Sequence, residues 1–327
     1  MELPIRNGLE PERGIPMVRR KSKSKSISPW LIVGIIFGVI GFIIAGCAGL
    51  GWWAFSSLTK PTSYPAETEP YHLARARFQT TLVSRGPSPQ PYDRLLRPPG
   101  VNELPYRSGN LDLKAWVSAA PADGSRKPAV VFLHGGFAFG DDDWDETQAF
   151  LQAGFITMMP MLRGENGQSG EYSMFYNEVD DVLAATAALA RLPYVDRSKI
   201  YLCGHSVGGT ITMLTAMTSD QFRAAASFSG STDQKLWSRG QEELCPFNIR
   251  NAEEYRMRSP LAFAKSFRCP LRIYYGSTEF LFSGMSQETA KRAKAAGLDV
   301  EATSIPGDHS TALAPSIDRA IAFFKSK

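Results

Sequence analysis

Histidine and cysteine are scarce in this chain, four of each among 327 residues, and both scarcities narrow its chemistry. Four cysteines are too few for a disulfide scaffold, and none shows the C-x-x-C spacing of a zinc or thiol-redox site. Cys47 lies in an apolar run and Cys203 on a strand-like one, where small buried hydrophobes are expected. Cys245 and Cys269 flank one interval and are a candidate pair only in an oxidising compartment. No metal site is implied, and no internal repeat is visible. An excess of charge is missing too, once the first 28 residues are set apart. They hold seven basic and three acidic residues, and removing these from the 36 basic and 32 acidic of the whole chain leaves 29 of each sign. The basic balance therefore belongs to the tail, and a nucleic-acid-binding face is excluded. With 43% hydrophobic residues the remainder is able to bury a large core.

Residues 1–28 mix Pro, Gly, Ser and charge without apolar periodicity and read as a disordered, cytoplasmic tail. Residues 29–55 contain no charge and exceed the roughly 20 residues that a helix needs to cross a bilayer. Trp30 and the Trp52-Trp53 pair stand where interface anchors belong. The basic cluster lies before this run and only Lys60 begins the flank after it. The positive-inside rule then predicts a single-pass membrane helix with everything after it outside the cytoplasm. A lipoprotein reading through Ile44-Ala45-Gly46-Cys47 and a cleaved signal fit less well, because the run stays apolar too long for either. Gly34 and Gly38 have GxxxG spacing, a weak signal in a Gly-rich span, and the oligomeric state stays open.

Residues 56–100, rich in Pro and Ser, read as a linker and extended lead-in with one helix-capable patch near Tyr71–Thr81. From residue 101 to 327 strand-like and helix-like segments alternate. Strands are expected at 111–119, 129–133, 155–159, 199–203, 223–228, 271–275 and 300–305, and helices at 144–153, 176–192, 207–218, 285–296 and 311–325. That alternation predicts an α/β fold, an open and mostly parallel sheet with helices on both faces. One interval, 234–270, breaks the rhythm and reads either as a small cap over the site or as a surface excursion. Trp237 within it is a candidate substrate contact.

Gly204-His205-Ser206-Val207-Gly208-Gly209 lies between a strand-like and a helix-like run, which is the nucleophile-elbow pattern. A serine hydroxyl needs a base, and the base an orienting carboxylate. Of the four histidines, His72 precedes the catalytic region, His134 ends a strand in a Gly-rich turn and His205 sits within the elbow. His309, in the loop between the last strand and last helix, remains as the base. Glu279, just past the strand 271–275, is the candidate acid, with Asp308 as its rival beside His309. Two backbone donors are needed for the oxyanion. The Val207 amide is one, and Gly136 or Phe137 in the turn His134-Gly135-Gly136-Phe137 is the other. The acidic run 141–146 reads as a helix cap, as a bias towards cationic substrates or as a Ca²⁺ site. Arg163, after the next strand, is a candidate substrate contact.

Through His134-Gly135-Gly136, Arg163-Gly164, the Ser206 elbow, Gly276-Ser277-Thr278-Glu279 and Gly307-Asp308-His309, residues 101–327 resemble the α/β-hydrolase fold. They are most similar to its prolyl-oligopeptidase-like and dienelactone-hydrolase-like branch. The resemblance implies an eight-stranded sheet, a Ser-acid-His triad and no cofactor. Dienelactone hydrolases use cysteine where this chain has Ser206, and no β-propeller precedes the domain. The sequence thus predicts a membrane-anchored serine hydrolase acting on a small ester through an acyl-enzyme. A short-peptide amino- or oligopeptidase is the alternative within the same chemistry, and an inactive hydrolase-like binding protein the alternative outside it.

Overall fold

A computed structural model describes residues 59–327. The span expected at 29–55 lies outside the described residues, and among these no helix is long and apolar enough to cross a membrane. Helix α1, Tyr71–Arg77, belongs to the lead-in. The catalytic region then runs β1 Val101–Ser108, β2 Leu111–Ser118, β3 Lys127–Leu133, a 3₁₀ turn Asp141–Thr147, α2 Gln148–Gln152, β4 Ile156–Pro160 and α3 Glu178–Leu189. It continues with β5 Val195–His205, α4 Val207–Thr218, β6 Ala224–Phe228, α5 Gln234–Trp237, α6 Ala252–Arg256, β7 Leu271–Gly276, α7 Phe280–Ala295, β8 Val300–Ile305 and α8 Leu313–Lys325.

The eight strands form one sheet in the order β1-β2-β4-β3-β5-β6-β7-β8. The β1–β2 and β2–β4 pairs are antiparallel, and every pair from β4–β3 onward is parallel. Each central strand is apolar on both faces, as a sheet covered on both sides requires. In β3, Ala129, Val131 and Leu133 join one core with α3 and α4, while Val130 and Phe132 join the other with α2 and α8. Strand β1 escapes a periodicity reading because its run contains Pro105 and alternates irregularly. It sits at the sheet edge, where a proline's missing N–H is tolerated. The helix expected at 144–153 is divided into a 3₁₀ turn and the short α2.

Two expectations are sharpened. Residues 59–100, expected as a linker and extended lead-in with a helical patch, form a strap packed on the catalytic region, with that helix at Tyr71–Arg77. Tyr64, Tyr71 and Phe78 recur every seven residues and pack into the first core, Tyr71 fully buried. Tyr71 donates its hydroxyl to Met257 O at 2.9 Å, and Tyr64 donates to the buried Asp233 at 2.7 Å. A Pro- and Ser-rich composition hides these three aromatic anchors from a reading by average polarity. The interval 234–270 is no surface excursion. The fully buried Arg258 pairs with Glu254 at 2.6 Å, donates to Ser173 O at 2.8 Å and reaches Thr80 of the strap at 2.7 Å. A buried charge with its donors met in this way fixes the interval against its neighbours. Cys245 and Cys269 are both buried free thiols, so the candidate disulfide is not formed.

Candidate active site

Strand β5 ends at His205 and α4 begins at Val207, which leaves Ser206 alone in the turn with φ 53° and ψ −112°. A non-glycine residue there is strained, and its surroundings must enforce the conformation. They do so by close backbone approach. A Cβ on Gly208 would lie 2.2 Å from Leu133 O, and one on Gly204 2.6 Å from the Gly208 carbonyl. Helix α4 therefore packs against β3 and β5 as only glycine permits. The Ser206 N–H is held by Phe228 O of β6 at 2.8 Å.

His309 lies in the loop between β8 and α8, half-exposed, with its Nδ1 2.5 Å from Oε1 of Glu279. The side chain of Glu279 is largely covered, just past the end of β7. Its Oε2 accepts from the Gly276 amide at 2.5 Å and from Ser229 Oγ at 2.6 Å. Burial would raise this carboxyl, but the hydrogen bonds from His309, Ser229 and Gly276 outweigh it and hold the group below its ordinary range. An ionised carboxylate on Nδ1 selects the tautomer that leaves Nε2 of His309 with a lone pair. Asp308 is turned to a different task, accepting from the amides of Ser310 and Thr311 and from Thr311 Oγ1. His205, chain neighbour of Ser206, donates from Nε2 to the His309 carbonyl at 3.0 Å, and the two rings lie 4.9 Å apart. Burial lowers the His205 imidazole to about 4, so it is neutral there.

On the other side of the elbow, the turn after β3 is held by side chains. His134 Nδ1 donates to Gly135 O at 2.9 Å, and its Nε2 meets Glu165 at 3.2 Å. Burial would lower this imidazole, yet the carboxylates of Glu165 and Asp143 lift it to about 9. Asn166, at φ 47°, pairs with both the N–H and the carbonyl of Phe139 at 2.8 Å. Gln90 of the strap accepts from the Phe137 N–H at 2.8 Å, and Ser88 donates to Phe137 O. Of the two candidate donors after β3, the Phe137 amide is thus taken up by Gln90 in this structure. The N–H groups of Gly136 and Val207 meet no protein partner among the described residues.

Other candidates are placed differently from expectation. Arg163 gives its amide, Nε and Nη2 to Asp181 at 3.0, 2.8 and 2.6 Å, with Asp181 fully buried. Its guanidinium ties the loop to α3 and is not offered to a substrate. Trp237 joins an aromatic cluster with Phe137 and Phe175, at ring distances of 6.5 and 5.9 Å. Within the acidic run, Asp143 accepts from Gly140 N at 2.6 Å as a cap does. Burial pushes Glu146 up to about 7. The Ca²⁺ reading finds no ligand cluster among the described residues. Ser88, Gln90, Asn166, Glu165 and Ser229 were not legible in sequence. Only Asn166-Gly167 carried a local signal, that of a turn.

The Prolyl oligopeptidase family model matches residues 142–280, which include Ser206 and Glu279. The uncharacterized peptidase YtmA of Bacillus subtilis is 26% identical over 205 residues, covering 60% of this chain and 77% of that protein. The chain is a serine hydrolase, similar over this region to the prolyl oligopeptidase family and, in fold, to peptidases of the α/β-hydrolase type. Solved structures show the same fold around this hydrolase. The Pyrococcus horikoshii acylaminoacyl peptidase aligns at TM-score 0.57 and 23% identity, over 69% of this chain and 40% of that one. A Mycobacterium tuberculosis puromycin-hydrolyzing peptidase aligns at TM-score 0.61 and 21% identity, over 71% and 42%. The hydrolase thus spans about two fifths of the length of these solved peptidases.

Proposed function

We propose that this hydrolase is a peptidase that cleaves short peptides through an acyl-enzyme. The carrying observation is the Prolyl oligopeptidase family match across residues 142–280, which supports a peptide substrate over the small ester expected from sequence. In this reading Ser206 Oγ attacks the scissile carbonyl while Nε2 of His309 takes its proton. Glu279, 2.5 Å from Nδ1, stabilises the imidazolium that forms. The amides of Val207 and Gly136 donate to the oxyanion. His309 then protonates the leaving amine, and water frees Ser206 by the reverse sequence. The aromatic cluster of Phe137, Phe175 and Trp237 beside the oxyanion turn supports an apolar side chain on the acyl portion.

The test is a panel of aminoacyl and peptidyl anilides set beside esters of the same acyl groups. Anilide turnover that disappears in Ser206→Ala is expected. Ester turnover with no anilide turnover would return the assignment to an esterase. The charge-free run at 29–55 further supports a membrane anchor with the hydrolase outside the cytoplasm. A cysteine engineered at Ser63 should react with an impermeant reagent on intact cells, and its protection would reverse that orientation.

A further inference from the structure

We infer that the strap ahead of the sheet is part of the catalytic apparatus, with Gln90 as the positioning residue of the oxyanion turn. The inference rests on the reading that Ser206 acts on an acyl carbonyl and that Gly136 supplies the second donor.

Gly136 has φ 69°, a left-handed conformation open to it because it lacks a Cβ, and the same lack leaves the flanking peptides little restrained by the residue itself. The donor N–H of Gly136 shares a peptide plane with Gly135 O, and His134 holds that oxygen at 2.9 Å. The plane on the other side of Gly136 carries the Phe137 N–H, and Gln90 Oε1 holds that hydrogen at 2.8 Å. The next plane carries Phe137 O, which accepts from Ser88 Oγ. Ser88 is itself buried and fixed through its own amide to Gly164 O at 3.0 Å. Gly136 is therefore clamped from both sides, once by the residue two positions before it and once by a residue 46 positions away in the chain. An amide N–H is met by the carbonyl end of a carboxamide, so the orientation of Gln90 is set by its partner. Its Oε1 lies 2.7 Å from where a Cβ on Gly136 would stand, so the carboxamide rests against the donor residue itself.

A donor of this kind contributes to rate only if it points at the oxyanion before the reaction begins. Loss of the Gln90 clamp leaves the plane after Gly136 free to turn, and the donor's own plane is then held by His134 alone. The opposite role is also chemically coherent. Were the Phe137 N–H the true donor, the carboxamide oxygen of Gln90 would occupy the place of the substrate's oxygen, and its removal would speed the enzyme.

The experiment uses the full chain and a small activated ester, with kcat and KM expressed per active site titrated by a fluorophosphonate. Gln90→Met removes the acceptor at nearly constant size, and Gln90→Ala serves as a second variant should the first not fold. Either is expected to lower kcat about tenfold or more, with KM within about twofold and the thermal midpoint unmoved, because only a transition-state contact is misplaced. Gln90→Glu restores the acceptor and should recover part of that loss, while its charge next to the oxyanion prevents full recovery. Unchanged kcat per titrated site, a higher kcat, or a change confined to KM would each overturn the inference. A folded wild-type protein that takes no fluorophosphonate would instead remove the reading beneath it.

Discussion

The two loops that flank Ser206 are built in different ways. On the His309 side the parts come from neighbouring strand ends: Glu279 just past β7, His309 just past β8 and Ser229 just past β6, joined by contacts of 2.5 and 2.6 Å. On the Gly136 side the turn after β3 is held by Ser88 and Gln90 from the strap, and by Glu165 and Asn166 from the loop after β4. The first side is assembled by the sheet itself. The second depends on segments that need not have been there for the sheet to form.

That difference can be broken or sharpened by substitution. The largest effect belongs to Ser206→Ala, for which turnover should fall by at least about 10⁴-fold, leaving only what binding and the oxyanion donors provide. Next comes Glu279→Gln, which keeps the shape but loses the charge that selects the His309 tautomer; kcat should fall by about 10³ to 10⁴-fold. Asp308→Asn should leave kcat within about twofold, since its carboxylate serves the following turn. The reverse ranking of these two would hand the acid role to Asp308 and undo the strand-end account.

Those members were legible because the sheet imposes their order. A serine in a G-x-S-x-G turn, an acid past a later strand and a histidine past the last strand are the order this architecture carries, with Asp308 as a rival acid, and a small number of histidines made elimination work. The Gly136 side was legible only in its local part, His134 to Phe137. Gln90 lies in a polar, Pro-rich stretch where nothing marks it, and its partner is 47 residues away. Arg163 was misread for the same reason, because its partner Asp181 is a helix residue whose burial a sequence does not display. Seven strands and the mostly parallel character of the sheet could be placed from the alternating pattern, whereas the strand order and edge strand β1 could not.

Smaller effects separate structure from chemistry on the Gly136 side. Arg163→Met should lower stability by about 3 kcal/mol, since it strands a buried carboxylate, with KM for a small ester unchanged. A raised KM at full stability would restore its role as a substrate contact. The His134–Glu165 pair should show in the pH dependence of folding. The His134 imidazole stands at about 9 in the folded protein, above the roughly 6.5 of an unfolded chain, so its stabilisation is complete below pH ~6.5 and is lost as pH rises through about 9. Thermal midpoints of wild type should decline across that window, and Glu165→Gln should flatten the decline.

The measurement that bears most directly on the account is site-resolved mass spectrometry after treatment with a fluorophosphonate. One adduct on the peptide carrying Ser206 is expected, absent in Ser206→Ala and formed much more slowly in Glu279→Gln. A folded wild-type protein with no adduct, or with its adduct on another serine, would contradict the assignment of Ser206 as the nucleophile.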